Sequence, residues 1–267
     1  MLHMTNLSIN RSDTPCPSDD RGRVYLFDAI RGFSVTSMVC FHMTYDLVFL
    51  WGCEAPWFYG LCQDIWRNSI SWTFLFLAGI MCHYSRNNAS RSLKLLVLSA
   101  LIFTATSIAA VDTPINFGII FCLGSCGLIA WSIERCGGLE LSDNKCLLLG
   151  FLSLTLFAIC LHVPNGYVTT PLGSYQIPRI MYSSGLFSWA GFPGPRFSSG
   201  DYYPILPYLF MYLAGFLFGK PIKQQQIELS SLPPIRCKAL ELLGRHALLV
   251  YIVHQPIILI LLTLCFG

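Results

Sequence analysis

The sequence predicts an all-α fold, a polytopic membrane helical bundle of about seven transmembrane helices with a cytoplasmic amino terminus and an extracytoplasmic carboxyl terminus. Three observations lead there. Of the 267 residues, 54% are hydrophobic and only 12% are charged, against about 25% charged in a soluble domain. The apolar residues gather into seven segments, 24–50, 66–84, 93–111, 115–133, 146–162, 203–219 and 243–265, each long enough to cross a bilayer, with tilt where longer. The cations then divide unevenly between the linkers. Arg11, Arg21, Arg23, Arg86, Arg91, Lys94, Arg135, Lys145, Lys220, Lys223, Arg236 and Lys238 fall on one side, and Arg67, Arg179 and Arg196 on the other. Positive residues stay cytoplasmic, which fixes the orientation and places the long linker 163–202 outside.

Residues 1–22 are polar and lack an apolar run, so they read as a disordered cytoplasmic tail with no cleavable signal peptide. Residues 23–267 read as one transmembrane domain. The net charge of +3 is too small and too scattered to suggest nucleic acid. The cysteines lie mostly within apolar runs, where they act as small hydrophobes. No C-x-x-C pair points to zinc or redox work, so no metal is expected.

The first segment, RVYLFDAIRGFSVTSMVCFHMTYDLVFLW, carries Asp28, Arg31, His42 and Asp46. An Asp or Arg at the centre of a span costs roughly 2.5–3.5 kcal/mol on insertion scales, so these groups must face protein, water or a ligand. Asp28 and Arg31, three apart, can pair. His42 and Asp46, four apart, share one helix face. Arg31 lies about 16 Å below His42 along the axis.

The first linker, 51–65, has the aromatic composition of an interfacial belt. It also holds Cys53 and Cys62, which either pair in an oxidising space or stay free. The fifth segment ends at His162, while His83 and His246 fall near the cytoplasmic face. The loop 163–202 is rich in Gly and Pro, and its many aromatic residues argue for order and function. Asp201 opens the sixth segment, either as its N-cap or as a ligand for an acceptor hydroxyl or amine. In the seventh, His254 and Gln255 precede Pro256, which removes a backbone donor and predicts a kink beside polar groups at mid-depth.

Arg31 and His42 form an R-x10-H pattern that resembles a signature of membrane acyltransferases. Three further stretches narrow the likeness: FLFLAGIMCHYSR at 74–86, DYYPILPYLFMYLAGFLFGK at 201–220 and GRHALLVYIVHQP at 244–256. With DAIRGFSVTSMVCFHMTYDL at 28–47, they resemble the catalytic domain of the heparan-alpha-glucosaminide N-acetyltransferase family in its compact bacterial form. The resemblance covers nearly everything from Arg23 onward. It implies transfer of acetyl from cytoplasmic acetyl-CoA, as co-substrate, to a sugar acceptor beyond a bacterial plasma membrane. Many relatives carry His where this chain has Phe121, and the longer relatives have extra spans and a luminal domain.

Acetyl transfer needs a proton acceptor, donors for a developing oxyanion and a meeting place for the two substrates. His42 is the natural base, with Asp46 as a candidate to orient it. His254 is a candidate donor or relay. Arg31 suits the phosphates or pantetheine of CoA, its alternative being a structural pair with Asp28. Arg86 is a second candidate for the CoA phosphates. Asp201, Trp189, Tyr202 and Tyr203 are candidates for the sugar, against capping and belt roles. Two other classes compete. A transporter of a small polar solute also fits buried charge and a Pro-broken helix. A haem protein needs two axial histidines at one depth, and His42 is expected nearer the outer face than His254. A homodimer is compatible with, and not argued by, these features.

Overall fold

The chain, seen in a computed structural model, is described at residues 25–137, 141–225 and 237–266. The tail expected at 1–22 lies outside them. Eight α-helices are present among the described residues: α1 Tyr25–Phe49, α2 Leu61–Met81, α3 Asn88–Ala109, α4 Ile119–Gly137, α5 Asp143–Cys160, α6 Ile205–Gln224, α7 Lys238–Arg245 and α8 Ala247–Phe266. Five of them, α3, α4, α5, α6 and α8, are long and apolar enough to cross a membrane. The other long helices, α1 with 25 residues and α2 with 21, match them in length and carry more polar residues.

Local chemistry moves several boundaries from those read in the sequence. The start of α3 is drawn back to Asn88 because the Asn87 side chain caps it, accepting from the Ser90 amide at 2.9 Å. α4 starts later than 115 because Phe117 sits at φ 56°, a left-handed conformation that a helix cannot contain. The segment expected at 243–265 is two helices. His246, at φ −104° and ψ 18°, ends α7, and α8 then runs as one helix through Pro256. The proline therefore lies inside a continuous helix, and the break comes nearly three turns earlier.

The loop 163–202 is built. Its Tyr167–Thr170 strand (β1) pairs antiparallel with Gly173–Gln176 (β2), and short 3-10 turns follow at Arg179–Tyr182 and Gly185–Ala190. The hydroxyl of Tyr202 donates to Ser188 O at 2.6 Å and holds the loop over the start of α6.

Two glycine-lined crossings set the bundle. A Cβ on Gly79 of α2 would fall 2.1 Å from Tyr212 O, and one on Gly215 of α6 would fall 2.0 Å from Phe76 O. The two backbones thus touch, as small residues permit where helices associate in lipid. The second crossing joins α1 to α7. A Cβ on Gly32 would meet Leu240 O at 1.8 Å, and one on Gly244 would meet Asp28 O at 1.8 Å. Those opposed registers make α7 run antiparallel along the first turns of α1. One apolar core lies among α2, α4 and α6, around Leu75, Cys122, Tyr212 and Phe216. A second lies among α1, the 50–60 linker, α2 and α8, around Val35, Met38, Phe41, Phe58 and Ala247. Tyr251 of α8 packs against both.

Candidate active site

The polar residues of α1 and α8 meet where the second core ends. The α7–α1 crossing seats the start of α8 beside Val35 and Met38, and from there both helices climb together. Seven residues further along each, the rings of His42 and His254 lie 4.9 Å apart, with planes 56° from parallel. Phe41 packs edge-on against His42 at 5.7 Å. One step outward, the Asp46 carboxylate accepts from the Gln255 side-chain amide at 2.8 Å.

The hydrogen bonds fix the state of His254. Its Nδ1 lies 2.6 Å from the Tyr251 carbonyl, an atom that only accepts, so Nδ1 carries the proton. In the neutral ring, Nε2 then keeps its lone pair. That Nε2 is buried and has no hydrogen-bond partner, and neither does Oε1 of Gln255. A buried polar atom without a partner costs about 1–3 kcal/mol, and such atoms mark places where a ligand or water belongs. Both orphans are acceptors, so the group they suit is a donor, N–H or O–H.

Asp46, expected as the orienter of His42, gives its carboxylate to Gln255 instead. It is 1% exposed, which makes it one of the most deeply buried side chains described. Gln255 was read in the sequence only as a neighbour of His254. Nothing local announces its bond to a residue 209 positions away.

Below the histidines, Arg31 Nη1 donates to Asp28 Oδ1 at 3.2 Å and to Gly244 O at 3.3 Å. Arg245 Nε approaches the other Asp28 oxygen at 3.9 Å. Arg31 is therefore a half-buried joint between α1 and α7. Arg86 is exposed on the linker between α2 and α3.

At the other end of the bundle, Asp201 does not cap α6. Its Oδ2 accepts from the Ile119 amide at 3.0 Å, so it caps the start of α4, while Pro204 occupies the N-cap of α6. Burial pushes its carboxyl up to about 6. Tyr203 is buried against Tyr208, Tyr202 is bonded to the loop, and Trp189 is partly exposed on it. A depression of about 410 Å³ in this loop is lined by Ser183, Gly185, Gly194, Pro195, Arg196 and Phe197, none of them among the site residues expected from the sequence. Phe121 packs edge-on against Phe117 at 5.0 Å.

Cys53 and Cys62 are free thiols. His83 and His162 serve the fold. His83 Nε2 is 2.6 Å from Phe216 O, and His162 stacks on Tyr167. The 4.9 Å separation of His42 and His254 also leaves no room between them for a haem plane with its iron, whatever their depths. Among the described residues, no group of three or more His, Cys, Asp or Glu is placed to hold a metal.

The family model for heparan-alpha-glucosaminide N-acetyltransferase, catalytic, matches residues 23–256. No curated protein and no solved structure gives a significant match.

Proposed function

The chain belongs to the heparan-alpha-glucosaminide N-acetyltransferase catalytic family, and from that membership we propose that it transfers acetyl from cytoplasmic acetyl-CoA to an amine or hydroxyl of a sugar on the far side of a bacterial plasma membrane. Seven helices span in this reading. α1 and α2 join the five apolar ones because they match them in length, and because Asp28 and Asp46 of α1 are buried. The lysine and arginine asymmetry supports an inner amino terminus and an outer carboxyl terminus.

The single observation that carries the reading is the pair of imidazoles, with the bare, buried Nε2 of His254 beside His42. Two histidines inside apolar helices, one with an idle lone pair, suit proton removal from a nucleophile at neutral pH. In the direct route, the acceptor nitrogen or oxygen bonds to the thioester carbonyl carbon, the C–S bond breaks, and CoA leaves as thiolate. An imidazole takes the acceptor's proton and returns it to the sulfur. In the two-step route, His42 carries the acetyl between half-reactions, and His254 serves as the base for both. Gln255, held by Asp46, has a buried carbonyl without a partner that would accept from a second donor of the acceptor. Arg31 and Arg86 would meet the phosphates or pantetheine of the donor on the inner side. Asp201, Trp189 and Tyr202 stand around the acceptor's approach.

The test is vectorial. Proteoliposomes receive radiolabelled acetyl-CoA on the amino-terminal side and glucosamine on the other. Labelled N-acetyl or O-acetyl sugar on the acceptor side supports the reading. Movement of unmodified sugar, independent of CoA, would place the chain among transporters.

A further inference from the structure

Tyr251 touches His254 twice. Its carbonyl takes the Nδ1 proton, with the two atoms 2.6 Å apart. Its ring lies 5.6 Å from the imidazole, with planes 52° from parallel. The two residues are three apart on α8, so their side chains share one face of the helix. The second torsion of a histidine is broad and roughly two-fold. The carbonyl therefore selects which nitrogen carries the proton, while the neighbouring phenol ring limits the swing of the imidazole that lies 4.9 Å from His42.

The same ring joins the two halves of the bundle. Of the α8 side chains, Tyr251 alone packs against both cores, the one among α2, α4 and α6 and the one among α1, α2 and α8. Its hydroxyl lies within electrostatic reach of Tyr203 and Asp201, and Tyr203 belongs to the first of those cores. His254 rides on α8, whereas Asp201, Tyr202 and Trp189 belong to the 163–202 loop and its junction with α6. The register between the imidazole and that end of the bundle thus passes through Tyr251.

We propose that Tyr251 is a positioning residue, whose ring fixes the plane of His254 against His42 and holds that imidazole in register with the Asp201 side of the bundle. The proposal rests on the transferase reading for the work that His254 does. Tyr251 itself acts only through His254 and touches no reacting atom.

The test uses full-length protein in nanodiscs with 15N-labelled imidazoles, the His254 signal being the one lost in His254→Gln. Wild type should show a single tautomer for it, with Nδ1 protonated and Nε2 bare. Tyr251→Met refills the volume with a flexible chain and removes the flat face. It should show mixed tautomers, and kcat should fall about tenfold or more, since a 1 Å misplacement can cost about 10²-fold. The KM for acetyl-CoA should not change. Tyr251→Phe keeps the face and should restore both the single signal and kcat. CoA binding reports that each variant is folded, and Tyr251→Leu replaces Tyr251→Met if that variant fails it. A single signal with full kcat in Tyr251→Met overturns the positioning role. So does a Tyr251→Phe as impaired as Tyr251→Met, or a loss confined to the unfolding temperature. A wild type that makes no acetylated sugar, yet loses its single His254 signal in Tyr251→Met and regains it in Tyr251→Phe, would instead overturn the transferase reading and leave the positioning of His254 standing.

Discussion

Asp46 on α1 and Gln255 on α8 share a hydrogen bond of 2.8 Å across 209 residues of sequence. The bond ties the two helices one turn beyond His42 along α1 and one residue beyond His254 along α8, so it governs how the two rings face each other. Gln255→Leu should leave a buried carboxylate without its partner and lower stability by about 1.5–3 kcal/mol, read as a drop in unfolding temperature in detergent. Asp46→Asn keeps an acceptor for the amide and should lose less. Replacing both residues by Leu should recover much of the stability while turnover stays low, because an apolar pair packs but does not orient the rings. Full turnover in the double variant would remove any positioning role.

His42→Ala should abolish acetyl transfer to an external amino sugar while the protein stays folded and still binds CoA. His254→Ala should lower the rate about 10²–10⁴-fold, the usual worth of a positioned base. The double variant should be little worse than the poorer single one, since groups that act as a unit are not additive. Single-turnover mixing with labelled acetyl-CoA separates the routes. Label retained on wild-type protein without acceptor, and lost in His42→Ala, marks His42 as the carrier.

Much of the helical framework could be read in the sequence because apolar length is a local property. The same holds for His42 and Asp46, which share a helix face by spacing alone. What escaped reading is long-range. In KALELLGRHALLV the helix ends at His246, two residues past the single Gly and with no Pro to mark the stop, and so α7 merged into the last apolar run. The glycines of the α1–α7 crossing are plain in the sequence, but their partners are fixed only by the antiparallel docking. Asp201 looked like the cap of the helix that follows it. It caps α4 instead, 82 residues earlier, because Pro204 and the non-helical Leu206 delay the start of α6 proper.

Arg31 bridges Asp28 and Gly244 O, so its removal acts on both donor binding and helix docking, and the two effects need separate variants. Arg31→Ala should weaken CoA binding. Arg31→Lys should restore it only in part, because a point charge cannot replace a planar fork. Gly244→Val leaves the guanidinium intact and forces α7 off α1, costing about 1–3 kcal/mol or more. If Gly244→Val alone reproduces the CoA defect, and Arg31→Ala adds nothing to it, then Arg31 is a structural joint and the donor binds elsewhere.

Asp201 gives the junction of the 163–202 loop with α4 a dependence on pH. Its carboxyl titrates at about 6 in the folded protein, against a reference value of 3.8, because burial disfavours the charged form more than the Ile119 amide favours it. The folded chain therefore holds this proton more tightly than the unfolded chain. Asp201 opposes folding above about pH 6, and the opposition fades as the pH falls from 6 toward 4. Asp201→Asn keeps an oxygen for the Ile119 amide and cannot ionise. Its unfolding temperature should exceed that of wild type at pH 8, and the gap should narrow below pH 6 and close near pH 4. A gap that stays constant across that range would mean that the carboxyl remains ionised throughout, and that its bond to α4 outweighs its burial.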